Sequence, residues 1–268
     1  MYNTSLHKRT LAQQVADSIK QSVLDGELSA GAALPTEPEL AEQFSVSRAV
    51  IRDAIRLLSA VGLVDVRHGR GMYITEPGTE ALSEALFIAL RRNGATVWDV
   101  EELQQVILPE VVGFAAERAT DEEITELERS VEQCLTVFGE VIEQSEKAGR
   151  ELNEHETSRI ASAYGRFYEL LYAASHNTVL SLLSMPLYRL HSLKSWDSDE
   201  EPVEGSVTRE RAFFDRMIAA IRTRDREAAA EEVRRMAAMF PESAKAAMRR
   251  TPIGDTAVLP EPLPPLDD

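Results

Sequence analysis

Three arginines recur at every fourth position in one stretch of the chain, at Arg48, Arg52 and Arg56. Residues four apart lie on the same face of a helix, so this spacing predicts a positively charged helical face. A second basic stretch, Arg-His-Gly-Arg, follows at 67–70. Guanidinium groups donate hydrogen bonds to phosphate oxygens and to the edge of guanine, so both stretches have the chemistry to bind nucleic acid.

The residues around these arginines predict the elements that position them. Ser47 is a favourable N-cap, so a helix should begin at Arg48, and Gly62 should stop it. The apolar face of this helix would comprise Ile51, Ala54, Ile55 and Leu58. Short apolar runs at 63–66 and 72–75 predict a hairpin with a basic tip. Either piece alone also fits an ordinary surface helix or hairpin, but the two together favour nucleic acid.

The charge distribution supports the same interpretation. The chain has 268 residues and a formal net charge of −16, but residues 1–77 hold 8 Lys and Arg against 9 Asp and Glu, which leaves 21 against 36 for the rest. Between 45 and 71, five arginines stand against Asp53 and Asp65. Phosphate repels most of such an acidic protein, so a local basic patch indicates a DNA contact. The contrast also predicts two domains with different partners.

Length and composition argue against several other classes. A chain of this length can bury a substantial core, and the single cysteine, Cys134, fits a buried apolar position in a reducing compartment. No apolar run reaches the roughly 18 residues that span a bilayer, so we expect a cytoplasmic protein without a membrane partner. We find no Gly-rich phosphate loop and no nucleophile with a placed base, so we do not expect an enzyme.

The periodicity predicts a mainly α fold in two parts. Helices near 10–25 and 37–44, the arginine-bearing helix and the two-stranded hairpin form a winged helix-turn-helix domain over 1–76. Residues 77–80 have the composition of a linker. Residues 81–248 show only helical spacing and are predicted to form an all-helical bundle. The tail, 249–268, contains five prolines and is predicted to be disordered.

A series of short motifs runs through the amino-terminal part. They are Gly26-Glu27-Leu28, Gly31, Leu34-Pro35-Thr36-Glu37, Glu39-Leu40-Ala41, Val46-Ser47-Arg48, Val50-Ile51-Arg52-Asp53-Ala54, Leu57-Leu58, Gly62-Leu63-Val64 and Gly69-Arg70-Gly71. In this order and spacing they resemble the signature of the GntR family of bacterial transcription regulators. The resemblance implies that Arg48 and Arg52 contact the major groove of double-stranded DNA, and that His68 and Gly69 enter the minor groove.

The candidate DNA-binding set follows from this resemblance and from the basic patch. It comprises Thr36, Ser47, Arg48, Ala49, Arg52, Arg56, Arg67, His68, Gly69 and Arg70. We expect a homodimer that binds a short palindromic operator. The fatty-acid-responsive members of the family have a base-contacting arginine at the position of Pro38, so the operator of this chain need not match theirs.

The second half carries a looser series of motifs over about 140 residues. They are Leu108-Pro109-Glu110, Ala115-Ala116-Glu117-Arg118-Ala119-Thr120, Phe167, Ser175-His176-Asn177, Ala220-Ile221, Asp225 and Ala229. This series resembles the helical effector domain called FCD. Most such domains bind a divalent metal through an Asp and a His four apart and two later His. The resemblance places Tyr164, Tyr168, Phe214 and Met236 at those positions. None is a good ligand for such a cation, so we expect neither a metal nor another cofactor.

The same replacements predict an apolar effector pocket with two hydroxyl groups. The resemblance places Gln104 where the family has an arginine for an effector carboxylate, and Leu108 where a glutamate follows. The candidate pocket residues are Gln104, Leu108, Tyr164, Tyr168, Met185, Arg189, Phe214 and Met236. A fatty acid or an acyl-CoA would suit such a pocket. Alternatively, these side chains only fill the bundle, because aromatic residues at i and i+4 usually pack in a core.

The sequence therefore predicts a ligand-responsive transcription regulator, and we expect a repressor. Two alternatives stay open. One is a metal-dependent regulator that senses carboxylates. The other is a winged helix that binds protein instead of DNA, for which the acidic second half would be suited, although the arginine stripe argues against it.

Overall fold

The computed structural model describes residues 9–67, 69–75, 78–150, 152–190, 203–239 and 242–253. The chain divides into two compact units, Met1–Ala81 and Leu82–Asp268. Within the described ranges, no helix combines the length and the apolar character that crossing a membrane requires.

The first unit is a winged helix-turn-helix, as predicted. Its elements are α1 (Leu11–Leu24), β1 (Ala33–Leu34), α2 (Glu37–Gln43), α3 (Arg48–Ala60), β2 (Val64–Arg67) and β3 (Gly71–Ile74). Strand β3 lies between β1 and β2 and pairs antiparallel with both. The predicted hairpin is β2 and β3, but the sheet has a third strand that the sequence did not reveal. Strand β1 has two residues, too few to show the alternation by which strands are recognised.

Helix α3 forms for the reasons that its sequence suggests. Ser47 Oγ accepts a hydrogen bond from the Val50 amide at 3.4 Å, so the helix begins at Arg48. Ile51 lies on the buried face and has no exposed surface. That face packs against α1 and α2. Beyond the helix end, Gly62 has a φ of 72°, a conformation that favours glycine and turns the chain into β2.

In the part of the chain that the structure describes, the second unit is a bundle of helices. The helices are α4 (Glu80–Arg92), α5 (Val97–Arg118), α6 (Asp121–Ala148), α7 (Glu154–Ala174), α8 (Thr178–Leu190), α9 (Val203–Arg222), α10 (Arg226–Ala238) and α11 (Glu242–Arg250). Helix α6 packs against α7 and α9, and α5 packs against α10. Val111, Leu127, Phe167, Ile221 and Val233, one from each of five helices, contribute to the central core.

The end of the described chain differs from the sequence prediction. The sequence predicts a disordered tail from residue 249, but α11 continues to Arg250, and residues 251–253 pack against the start of α5. The Val97 amide donates to the Thr251 carbonyl at 2.9 Å, and the Ile253 amide donates to the Ala95 carbonyl at 3.1 Å. Ile253 is 1% exposed. The prediction was wrong for 249–253 because these contacts are distant in sequence; 254–268 lie outside the described residues.

Candidate nucleic-acid interface and bundle cavity

The outer face of α3 carries the predicted arginine stripe. Arg48, Arg52 and Arg56 are all exposed, as is Ala49 beside them. The opposite face of α3 is buried in the core of the first unit. Guanidinium groups are therefore displayed along one side of a helix whose other side is held by packing. Such a helix can present several donors to the major groove at once.

The start of α2 lies close to this stripe. Thr36 caps α2, and Glu39 Oε2 accepts hydrogen bonds from the Thr36 amide and hydroxyl, both at 2.8 Å. These bonds lower the pKa of Glu39. Glu37 is the first helical residue, and its Oε2 lies 3.4 Å from Nε of Arg52. The capped first turn of α2 thus places a carboxylate beside an arginine of the predicted DNA-reading helix.

Two further arginines of the candidate set are paired with carboxylates. Arg56 Nη1 lies 3.2 Å from Asp53 Oδ1, one turn earlier on α3. On strand β2, Arg67 Nε lies 2.8 Å from Asp65 Oδ2. Both pairs are exposed, so water and salt screen them and each stabilises the fold only weakly. The pairs matter for the surface charge, because in the free protein these carboxylates neutralise part of the basic patch.

The wing is a tight hairpin between β2 and β3. The Arg70 amide donates to the Arg67 carbonyl at 2.9 Å, and Gly69 adopts a φ of 72°. The Tyr73 hydroxyl donates to the Arg70 carbonyl at 2.9 Å, and the Arg67 guanidinium lies 4.8 Å from the centre of the Tyr73 ring. Arg67, Gly69 and Arg70 are exposed. His68, predicted to enter the minor groove, lies outside the described residues.

Sequence reasoning missed Glu37, Asp65 and Tyr73 as neighbours of the candidate interface. Asp65 and Arg67 stand two apart on a strand, and side chains at that spacing share a face, so this pair was detectable. Glu37 precedes Arg52 by 15 residues and lies on a different helix, so no local spacing links the two. Only the packing of α2 against α3 brings the two side chains together.

The second unit contains a small cavity in the bundle. Its volume is about 60 Å³. The lining residues are Glu101, Gln104, Gln105, Leu108, Tyr168, Tyr188, Phe213, Val233, Met236 and Ala237. One wall is polar, where the Gln104 Nε2 donates to the Leu187 carbonyl at 3.4 Å and the Gln105 Nε2 donates to Glu101 Oε1 at 3.3 Å. The other wall is aromatic and aliphatic.

The structure divides the candidate pocket residues into three groups. Gln104, Leu108, Tyr168 and Met236 line the cavity. Tyr164 and Phe214 do not line it and pack instead in the core, with ring centres 6.2 Å apart. Phe214 also stacks edge-on against Phe167 at 5.0 Å. Aromatic packing therefore takes both residues out of the predicted pocket wall. Met185 and Arg189 belong to α8, but their side chains lie outside the described part of the structure.

The tyrosine side chains of the bundle have buried hydroxyl groups, and the pKa values of these groups are raised. Burial raises the pKa of Tyr172 to about 12 and also raises those of Tyr168 and Tyr188. The Tyr188 hydroxyl donates to the Ala161 carbonyl at 2.7 Å. The Tyr164 hydroxyl is buried beside Glu210. Burial, and secondly the negative charge of Glu210, raise its pKa, so these phenols stay protonated at neutral pH.

Comparison with known proteins identifies both units. Residues 11–74 match the family described as "Bacterial regulatory proteins, gntR family". Residues 99–238, just over half of the chain, match the family described as "FCD domain". The chain belongs to the GntR family. It is a transcriptional regulator with an FCD domain, and not an enzyme.

Several regulators resemble this GntR-family chain. It is 24% identical over 225 residues to the galactonate operon transcriptional repressor of Escherichia coli (strain K12), a match that covers 81% of this chain and 89% of that protein. It is 37% identical over 124 residues to the HTH-type transcriptional regulator Mce2R of Mycobacterium tuberculosis, covering 45% of this chain and 51% of that one. Streptococcus agalactiae GntR has the same fold, with a TM-score of 0.55 at 22% identity over 88% of this chain and 99% of that chain.

The residues present in this FCD domain do not fit the metal that the domain resemblance implies. Tyr164 and Tyr168 hold protons that burial makes hard to remove, and phenylalanine at 214 has no donor atom. Methionine at 236 offers a soft thioether, which suits Cu(I) more than the divalent cations that imidazole and carboxylate bind. Within the described ranges no three His, Cys, Asp or Glu side chains cluster as a metal site. We derive no role for a metal in this protein.

Proposed function

We propose that this regulator is a homodimeric repressor that binds a palindromic operator through α3 and the wing. The observation that supports DNA binding most strongly is the exposed row of Arg48, Arg52 and Arg56 on a helix whose opposite face is buried. Arg67 and Arg70 add positive charge on the wing. The operator lies on bacterial DNA, so the protein acts in the cytoplasm.

Each protomer of the dimer inserts one α3 into a major groove. The amino-terminal domain reads DNA, while the helical domain forms the dimer and binds the effector. Because a two-fold dimer matches a two-fold site, its half-sites lie about one helical turn, roughly 34 Å, apart. Repression is supported by the galactonate operon relative, which is named a transcriptional repressor. An effector changes DNA affinity only as far as its own affinity differs between the DNA-bound and free arrangements.

Selection of duplexes from a random pool tests this function directly. The purified protein is expected to enrich a palindromic sequence, and binding to it should weaken steeply as salt rises, because arginine–phosphate contacts release counterions. Failure to enrich any sequence, together with binding that salt does not affect, would instead favour a winged helix that binds protein.

The effector site is the cavity lined by Gln104, Leu108, Tyr168 and Met236, and it works without a metal. The four positions of the family metal site carry two phenols, a phenyl ring and a thioether, so this chain does not suit the alternative of a metal-dependent carboxylate sensor. Metal analysis of the purified protein separates the two. A stoichiometric divalent metal that supports DNA release would overturn the metal-free proposal.

The ligand class proposed for this cavity is a fatty acid or an acyl-CoA. Its apolar wall supports that choice, whereas its volume does not. At about 60 Å³ the cavity is far smaller than the roughly 300–1,000 Å³ of typical ligand pockets. An acyl chain therefore enters only if flexible side chains such as Met236 move. Native mass spectrometry and thermal shifts with acyl-CoA test this: a co-purifying lipid or a higher Tm supports it, and their joint absence rejects it.

A further inference from the structure

Three carboxylates lie within the candidate DNA-binding surface and pair with its arginines. Glu37 lies 3.4 Å from Arg52, Asp53 lies 3.2 Å from Arg56, and Asp65 lies 2.8 Å from Arg67. The pairs come from three different places: the first turn of α2, the body of α3, and β2. Pairing of arginines with carboxylates therefore recurs across the candidate surface and is not confined to one element.

These pairs change the charge that DNA meets. The predicted surface has five arginines, two on the wing and three on α3, and the three carboxylates reduce its formal charge from five to two. Each paired arginine reaches a phosphate only if the phosphate replaces a carboxylate. Exposed pairs are weak, so each replacement costs a factor of only about two to five in affinity. A sequence-matched site can outweigh that cost through base contacts, but random DNA offers phosphates alone.

Arg67 has both a carboxylate and an aromatic ring against its guanidinium group. Its Nε is held by Asp65 at 2.8 Å, and its guanidinium carbon lies 4.8 Å from the centre of the Tyr73 ring. Tyr73 in turn donates to the Arg70 carbonyl at the wing tip. The guanidinium is thus held on two sides before DNA arrives. A phosphate at an arbitrary position competes with both contacts.

We propose that Glu37, Asp53 and Asp65 act as built-in competitors of phosphate, which lower the affinity of this surface for DNA and so suppress the binding of random sequence. The inference rests on the proposed function, because it requires that α3 and the wing contact DNA. It assigns a role to three residues whose negative charge repels DNA phosphate. Their removal is expected to strengthen the binding of random DNA.

The test uses the full chain and a random-sequence duplex, so the operator need not be known. Glu37→Gln, Asp53→Asn and Asp65→Asn keep the side-chain shapes and remove the charges. Each is expected to raise affinity for the random duplex about threefold, and the triple variant more than tenfold. The plot of log affinity against log salt should steepen by about 0.9 for each arginine that becomes free to neutralise a phosphate. Thermal unfolding should change little, which separates this role from a structural one.

Asp17→Asn is the matched control. Asp17 pairs with Arg9 at 2.8 Å and is 51% exposed, close to the 47% of Asp65, but it lies on α1. It changes the net charge equally, and its partner Arg9 does not belong to the candidate DNA-binding set. The inference is overturned if the three variants bind random DNA no more tightly than Asp17→Asn.

Arg48→Ala separates this failure from failure of the proposed function. If Arg48→Ala weakens binding while the carboxylate variants match the control, only the inference falls. If Arg48→Ala also leaves binding unchanged, the interface itself has been placed wrongly and both proposals fall.

Discussion

Replacing Ile253 with alanine tests how much residues 251–253 stabilise the helical unit. Ile253 is 1% exposed and packs against Val100, which is 5% exposed. Leu86, Phe87 and Leu90 of α4 complete this small apolar cluster. Ile253→Ala removes three carbon atoms from the middle of the cluster and leaves both backbone hydrogen bonds of the segment possible.

The size of the effect follows from the burial. Replacing a fully buried isoleucine by alanine costs about 2–5 kcal/mol, and the smaller losses occur where the surroundings can collapse into the space. This cluster is small and most of its members are only partly buried, so we expect Ile253→Ala to lower the free energy of unfolding by about 2–3 kcal/mol. For a unit of this length that corresponds to a Tm lower by roughly 4–12 °C.

Scanning calorimetry of the full chain measures this change, and hydrogen exchange locates it. The transition of the helical unit should move to lower temperature, and amides of α4 should exchange faster. Val179→Ala on α8 is the control, because Val179 is 65% exposed and its loss should change stability by less than about 0.5 kcal/mol. If Ile253→Ala unfolds at the same temperature as Val179→Ala, the segment is not packed as described.

Three further predictions concern single side chains. Two hydrogen bonds from Arg150 and one from the Asn153 amide lower the pKa of Glu156 to about 2. The stability that its ionised form contributes is present above pH 4.5 and is lost as the pH falls towards 2. Acid unfolding of Glu156→Gln should therefore depend less on pH than that of the wild type in this window. Ser47→Ala should cost about 1 kcal/mol in chemical denaturation, because it removes the α3 cap; an unchanged midpoint would contradict that. Burial raises the pKa of Cys134 to about 12, so a thiol reagent at pH 8 should label it only after unfolding, and fast labelling of the native protein would refute its burial.

Local sequence signals were enough for most of the fold. The Ser47 cap, the four-residue spacing of apolar side chains and Gly62 together place α3, and the structure confirms them. Strand β1 and the packing of Ile253 were missed because both depend on partners distant in sequence. Ala33 pairs with Tyr73 on β3, and a two-residue strand has no pattern of its own.

The candidate sites were predictable to different degrees. Helical spacing was enough to place Arg52 on the exposed face of α3, but the carboxylate of Glu37 beside it depends on how α2 packs. In the bundle, Tyr164 and Tyr168 are one turn apart, so spacing alone assigns both to one face. Only the neighbouring helices decide that Tyr168 borders the cavity and that Tyr164 contacts Phe214 in the core.

The most direct test of DNA binding by α3 is the affinity of Arg52→Ala for a duplex obtained by selection. Lys20→Ala is the matched control, because Lys20 is an exposed cation on α1 and its loss changes the net charge equally. If Arg52 reads a base, Arg52→Ala should lose about 1–3 kcal/mol of binding free energy and accept more sequences at that position. Lys20→Ala should bind almost as the wild type does. Equal affinities of Arg52→Ala and Lys20→Ala would contradict the assignment of α3 as the helix that reads the operator.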